Sequence, residues 1–569
     1  MVICIGGNMD TPSSAPGRRA TGGDVLVSVM RRHGIDTAFG VVSIHNLPLV
    51  EAVARDLNFV EVRHEAAAVN AADGYARASG RIGVALTSTG TGAGNAAGSM
   101  IEALTAGSRV LHVTGQIESE FLTPEPASSS RGVIHEFPRQ RQMLDAVSAY
   151  AATITDAKDA EAELEAAIGR ILSAPQGPAS IEWPTDLQYL ASPDEQRAAD
   201  TRIARPPAPN AAALDRAAAV LASAERPLLW LGGGAAGAGD ELRALAHRLG
   251  AGILTSNSGR GIVSEDDDLV VGNFAASPEV AGLLADADVL LAVGTHFRSN
   301  ETKSYHLALP ATQVQIDVDP AAIGRVYPAT VGIVADARTA LRGILDALDG
   351  AGRRDDWAAR VRTVRERSRA ALTEYIGGYA EICEGMRRVL PRRSVVARDV
   401  TIPSSQWGNR LLPFYERETN IFPLGGGIGQ GLAMGLGAAQ ARRDVPTVVM
   451  AGDGGLAVHL GELASLAGTD AWCVVLVFND GGYGVLRNMQ EANGFCRSGV
   501  DLHTPRFDLL AASMGMPYTL VQRPGVFEAA LAEAVAARRP ALVEVDVTAL
   551  DPPPGPFVPP VHVPTGGAR

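Results

Sequence analysis

The stretch VVMAGDGGLAVHLGELASLAGTDAWCVVLVFNDGGYGVLR, residues 448–487, decides how the rest of the chain is read. Its pattern is strand, glycine turn, helix, strand, glycine turn, helix. The apolar run from Val448 to Ala451 ends at Gly452-Asp453-Gly454-Gly455. A helical segment then carries Leu456, Leu460, Leu463 and Leu466, and a second apolar run from Val474 to Phe478 ends at Asn479-Asp480-Gly481-Gly482. Two short apolar runs separated by a helical period predict a parallel α/β unit, whose turns both lie at the carboxyl end of the sheet. Asp-Gly is also an ordinary turn pair. Here, however, a second acid, Asp480, follows Asp453 by 27 residues and again at a strand end. Two acidic oxygens beside bare backbone amides suit a hard divalent cation bridging to a diphosphate.

The same alternation extends through the chain. In a first domain, 24–190, a helix over Asp24–His33 precedes a short strand from Thr37. A strand from Asn58 to Glu65 leads into an alanine-rich helix over Ala66–Ser79. The strand Arg81–Ser88 opens into Thr89-Gly-Thr-Gly-Ala-Gly-Asn95, and further strands cover Arg109–Gln116 and Ala179–Pro184. A linker near 192–210 leads to a central domain, 206–350, where the strand Pro227–Leu231 runs into Gly232-Gly-Gly-Ala-Ala-Gly237. Charged helices from Asp355 bridge to the third domain, 376–549. A leader (1–23) and a proline-rich tail (550–569) flank the whole. The prediction is three tandem doubly wound parallel-sheet α/β domains.

Composition narrows the class. The chain has 569 residues, 46% hydrophobic and 20% charged, and a net charge of −13. That balance argues against a nucleic-acid partner, whose basic face should dominate. No apolar run approaches a membrane span. Cys4, Cys383, Cys473 and Cys496 show neither metal nor disulfide spacing, and residues 1–23 lack a secretory core, so the expected compartment is the cytoplasm.

From residue 23 to 549 the chain resembles the three-domain thiamine-diphosphate family that includes acetolactate synthase, benzoylformate decarboxylase and pyruvate decarboxylase. The matching pieces, besides the opening stretch, are RHEAAAVNAADGYARASGRIGVALTSTGTGAGN (63–95), SIEWPTDLQ (180–188) and LGGGIGQGLAMGLGAA (424–439). The resemblance implies pyrimidine-binding, Rossmann-like central and diphosphate-binding domains. It also implies a homodimer or homotetramer whose active sites lie between subunits. Asp453, Asp480 and the carbonyl of Gly482 would hold Mg²⁺, with Asp480 standing where relatives mostly have Asn. Gly454, Gly455, Ser404, Ser405, Tyr483 and Gly484 would contact the diphosphate end, and Gly426, Gly427 and Ile428 the pyrimidine side, with Ile428 propping the cofactor in its bent form. Glu65 would hydrogen-bond N1′ of the aminopyrimidine. Read on its own, an acid closing an apolar strand should be largely dehydrated, which favours a shared proton.

His45 and Gln116 bear on the substrate, a small 2-oxo acid. The acid that pyruvate decarboxylases carry aligns with Ile44, and their paired histidines are replaced by Thr114-Gly115-Gln116. Thr87-Ser88 stands where benzoylformate decarboxylase has a histidine, and acetolactate synthases have a glutamine like Gln116. These departures favour carboligation of the decarboxylated unit to a second carbonyl. A non-ligating decarboxylase or C–C lyase is the alternative, with His45 as a proton donor. A catalytically silent subunit is the reading from another class, and retention of Glu65, Asp453 and Asp480 together argues against it. Gly232 to Gly237 fits GxGxxG but lacks the acid expected about 20 residues on. That counts against a nicotinamide dehydrogenase, and FAD in the central domain is not favoured.

Overall fold

The computed structural model describes residues 19–122, 132–190, 200–348 and 352–558, and three six-stranded sheets follow one another along it. The first contains β1 (Thr37–Gly40), β2 (Asn58–Glu61), β3 (Gly83–Thr87), β4 (Val110–Gln116), β5 (Tyr150–Thr153) and β6 (Ala179–Pro184), in the order β2-β1-β3-β4-β6-β5. The second contains β7 (Pro227–Leu231), β8 (Gly252–Thr255), β9 (Val270–Gly272), β10 (Val289–Val293), β11 (Thr312–Asp317) and β12 (Val331–Val334), ordered β12-β11-β10-β7-β8-β9. The third contains β13 (Val395–Arg398), β14 (Asn420–Ile421), β15 (Thr447–Gly452), β16 (Cys473–Asn479), β17 (Tyr518–Val521) and β18 (Ala541–Asp546), ordered β14-β13-β15-β16-β18-β17. Neighbouring strands are parallel in all three sheets. Helices cover both faces of such sheets, which is why β7 and β16 read as unbroken apolar runs and are buried along nearly their whole length.

The first and third sheets share one strand order, so the two outer domains repeat a single topology. The central sheet has the order common to nucleotide-binding folds. The repeat is visible at residue level where the outer domains meet. Helix Glu65–Ser79, after β2, packs on helix Gly431–Ala441, after β14. A Cβ added to Gly74 would sit 2.0 Å from the carbonyl oxygen of Met434, and one added to Gly437 would sit 1.8 Å from that of Ala71. The contact is reciprocal, and the sequence offset that relates these pairs also carries Glu65 onto Ile428. Backbone meets backbone here, so nothing can step aside. Gly437→Ala is expected to cost about 3 kcal/mol, the upper part of the overpacking range, read as a lowered midpoint in urea unfolding.

Three sequence expectations need adjustment. The strand expected to run to Glu65 ends at Glu61, and Glu65 instead opens the following helix, with His64 as its N-cap accepting from the amide of Ala66 at 3.1 Å. A histidine N-cap was not visible as a stop signal. The single helix expected after Gly455 is two short ones, Asp453–Val458 and Glu462–Ala467. Leu456, Leu463 and Leu466 are all buried, each contributing about 1.5–3 kcal/mol, while Leu460 is only half-buried. The first helix spans Gly22–Arg32 and so begins within the expected leader. Residues 1–18 of that leader, 191–199 of the linker and 559–569 of the tail lie outside the described residues. Among the described residues, no helix is long and apolar enough to cross a membrane.

Candidate active site

The carboxyl end of the third sheet brings the two acids together. β15 and β16 are paired from Thr447↔Cys473 to Gly452↔Phe478, so the turns that follow them are adjacent. Asp453 is 1% exposed, and its Oδ1 accepts from the amide of Asp480 at 3.2 Å. Its other oxygen, Oδ2, is buried without a partner. Burial, with the negative charge of Asp480 adding to it, pushes the Asp453 carboxyl up to about 6. Burial likewise raises Asp480, against the pull of Arg487, whose Nη1 lies 3.8 Å from its carboxylate. A buried and a half-buried carboxyl group side by side, with an unpartnered oxygen, are a donor set that fits a hard divalent cation.

Glycine is required throughout this cradle. Gly482 has φ +147°, and its carbonyl oxygen lies 2.8 Å from where a Gly454 Cβ would stand. A Cβ on Gly484 would fall 1.8 Å from Oδ2 of Asp480. Tyr483, held by its amide to Val500 at 2.8 Å, rests its ring against Gly454. The amides of Gly454 and Gly455 open the short helix and have no acceptor within it.

Across the cradle, after β13, the turn Ser404–Gly408 carries Ser404, which is fully buried with Oγ unpartnered, and Ser405, which is half-buried. The sequence reading missed Asp399. Fully buried and pushed up to about 6 by that burial, it accepts from the amides of Gly429 at 3.1 Å and Gly431 at 3.0 Å. It thereby fixes the loop Gly425–Gln430, which presents Gly426 (φ +81°), Gly427 and Ile428. Its signal was available, since Asp399 closes an apolar strand as Asp453 does. Ile428 is 39% exposed and belongs to no core cluster. The same loop is gripped from the first domain, where Glu102 accepts from the amides of Leu424 at 2.7 Å and Gly425 at 2.6 Å.

The second group lies at the carboxyl end of the first sheet. Glu65 receives the amide of Asn95 at 3.0 Å, and a Cβ on Gly92 would press on its Oε1 at 2.9 Å and on Ser88 at 2.8 Å. In the single chain its side chain is half-buried, not dehydrated as expected, because it stands at a helix start facing outward and not at a strand end within the sheet. Gln116 is buried and hydrogen-bonded at both ends of its amide. It donates to Glu182 at 3.0 Å and accepts from Thr89 at 3.1 Å and from the amide of Ile117 at 2.9 Å.

His45 is 6% exposed, with Nδ1 3.0 Å from Thr185 Oγ1 and Nε2 unpartnered. The ring of His135 stands edge-on to it, 5.1 Å between centroids. Burial, then repulsion from His135, lowers the proton affinity of His45, with Glu118 opposing. His135 has φ +67°, and its carbonyl oxygen lies 2.4 Å from a Gly90 Cβ position, so the loop carrying it is folded onto the β3 turn. No spacing in the sequence joins residues 45 and 135. This histidine pair appears only in the folded chain.

In the central domain the glycines after β7 are accounted for by backbone contact. The amide of Gly234 donates to the carbonyl of Gly294 at 3.0 Å, and a Gly232 Cβ would stand 2.1 Å from the same oxygen.

Family models agree with this geometry domain by domain. The thiamine pyrophosphate enzyme N-terminal TPP binding domain matches residues 20–143, the central domain 214–344 and the C-terminal TPP binding domain 403–545. A probable 2-ketoarginine decarboxylase of Pseudomonas aeruginosa is 31% identical over 504 residues, covering 88% of this chain and 89% of its own. A probable acetolactate synthase large subunit of Methanocaldococcus jannaschii is 26% identical, covering 92% and 91%. A sulfoacetaldehyde acetyltransferase of Rhodobacter capsulatus is 29% identical, covering 83% and 82%. With its two like-folded outer domains and the central domain between them all matched, the chain belongs to the thiamine pyrophosphate enzymes.

Proposed function

We propose that the chain is a thiamine-diphosphate- and Mg²⁺-dependent decarboxylase of a 2-oxo acid, which protonates the product carbon and releases an aldehyde with CO₂. The observation that carries this reading is the buried His45, with its Nε2 free and the exposed His135 edge-on to it, beside the β3 and β4 strand ends. The case for carboligation from sequence rested on several departures, at Ile44, at the missing paired histidines, at Thr87-Ser88 and at Gln116, and the nearness of His135 to His45 supports protonation instead.

Thiamine diphosphate, when bound, would supply a nucleophilic carbon and an electron sink for the pair left behind as CO₂ departs. The chain's part is positioning and proton handling. Asp453, Asp480 and the Gly482 carbonyl would hold Mg²⁺, and the orphaned Oδ2 of Asp453 fits that task. The amides of Gly454 and Gly455, with Ser404, Ser405, Tyr483 and Gly484 around them, would hold the diphosphate. Gly426, Gly427 and Ile428 would support the pyrimidine side, and Glu65 would share a proton with the ring. Glu65 and Ile428 both stand open in one chain, which supports a homodimer whose partner covers them. His45 has its Nδ1 oriented by Thr185 and its Nε2 free, so it can hold a proton for transfer and recover it through His135.

A second reading, carboligation in the manner of acetolactate synthases, is favoured by Gln116 in Thr114-Gly115-Gln116 and by the relatives of that name. Both are tested by supplying the reconstituted enzyme with pyruvate, branched 2-oxo acids and 5-guanidino-2-oxopentanoate, and following CO₂ and products by NMR. Aldehyde as the sole organic product is expected. A hydroxy-keto acid as the main product from any of them would overturn the decarboxylase reading. His135→Phe should slow aldehyde release about a hundredfold while leaving cofactor affinity unchanged.

A further inference from the structure

Outside the candidate active site, a cleft of about 420 Å³ opens between helix Asp355–Ile376, helix Tyr379–Val389 and the segment 411–413. None of the residues assigned to the active site lines it. Arg369, Arg387 and Arg388 face it, with Glu384, Thr373, Pro413 and the buried Cys383 also on its wall. Arg388 is already satisfied by Glu528 at 2.8 Å and Glu384 at 3.4 Å. Arg369 and Arg387 are not. Among the described residues neither has a carboxylate within ion-pair distance, in a chain whose net charge is −13.

Backbone oxygens meet only part of their hydrogen-bonding capacity. Arg369 gives Nη2 to the carbonyl of Leu411 at 2.8 Å, leaving Nε and Nη1 without an acceptor. Arg387 gives Nη2 to the carbonyls of Leu390 and Pro391, each at 2.7 Å, and Nη1 to that of Pro413 at 3.4 Å, leaving Nε. Burial lowers the proton affinity of both. Arg365 and Arg260 add repulsion at Arg369, with Glu265 opposing, and Arg392 adds it at Arg387. Cys383 contributes no charge to offset them, since burial pushes its thiol up to about 12. Two partly buried cations without an ion-pair partner among the described residues are costly unless something supplies one.

We propose that this cleft is a binding site for a small doubly charged oxyanion, phosphate or a phosphate monoester. The free N–H groups of Arg369 can meet two oxygens and the Nε of Arg387 a third, which a phosphoryl group offers and a carboxylate does not. The volume leaves room for a small organic group on the fourth oxygen.

The test is calorimetric titration of inorganic phosphate into the full chain preloaded with thiamine diphosphate and Mg²⁺, so that the diphosphate cradle is already filled. Saturable binding of one phosphate per chain is expected, weakened about tenfold or more by Arg369→Gln and by Arg387→Gln. Ala370→Glu, at an exposed position on the rim, should do the same by placing a carboxylate in the mouth without disturbing the core. It carries the test if either arginine variant fails to fold. No saturable heat, or equal affinity in all variants, overturns the site. A chain that takes phosphate with this variant pattern but does not take up thiamine diphosphate would refute the proposed function and leave the cleft standing.

Discussion

Glu65→Gln is expected to lower kcat about a thousandfold, within the range general acid–base groups supply, while the variant still binds thiamine diphosphate. Glutamine fills the same space and can still meet Asn95, so the helix start and the Gly92 contact should persist. What it cannot do is share a proton with a ring nitrogen. A purely structural carboxylate would give the reverse pattern, a lowered unfolding midpoint with turnover per folded molecule unchanged. Steady-state kinetics beside a melting curve separates the two, and an unchanged kcat would remove Glu65 from the mechanism. Asn95→Ala offers a graded control. It removes the only hydrogen bond to the carboxylate among the described residues and should cost far less than the loss of the proton itself.

How far these assignments could be read in advance depended on whether the signal was local. The opening stretch is local. Its apolar runs set β15 and β16, and their pairing register places Asp453 beside Asp480 without reference to the rest of the chain. The three-domain α/β architecture followed from the same alternation repeated. What the sequence hid was long-range. Gly74 and Gly437 look like helix-weakening residues until the two helices are packed, when each proves to be the point where one backbone meets the other. His45 and His135 share no spacing, and the loop that unites them depends on a left-handed residue that is not glycine. Gln116 has distant partners of the same kind. Its motif pointed to the substrate, and the fold adds that its amide donates to Glu182, two strands along the chain and adjacent in the sheet. Glu65 was found by its motif, but its burial was misjudged, because strand end and helix start differ by four residues and by the direction the side chain faces.

Asp453→Asn should show opposite effects on binding and on stability. Asparagine keeps an oxygen for the amide of Asp480 and nearly the same volume, so the turn should hold. The charge it removes is, by this reading, a ligand for Mg²⁺. Affinity for the metal and the diphosphate together should fall at least about a hundredfold, and the stabilisation that ligands give the wild-type protein against heat should vanish. In the ligand-free chain the sign reverses. Asp453 is held at about 6 by burial, above its ordinary 3.8, so the folded state takes up a proton more readily than the unfolded one between those two pH values. Stability from this group is therefore greatest below pH 3.8, falls as pH rises through the window, and above pH 6 is lower by about 3 kcal/mol. The asparagine variant escapes that loss and should be more stable than wild type at pH 8 by up to about this amount. Metal affinity runs the other way with pH. A cation must displace the proton, so wild-type affinity should drop about tenfold per unit below pH 6, while the residual affinity of the variant should lose that dependence. Denaturant unfolding of the ligand-free proteins at pH 5 and pH 8, beside Mg²⁺ titrations at the same values, reads both effects. A variant less stable than wild type at pH 8 would make Asp453 a structural acid, and the cation would have to be held elsewhere.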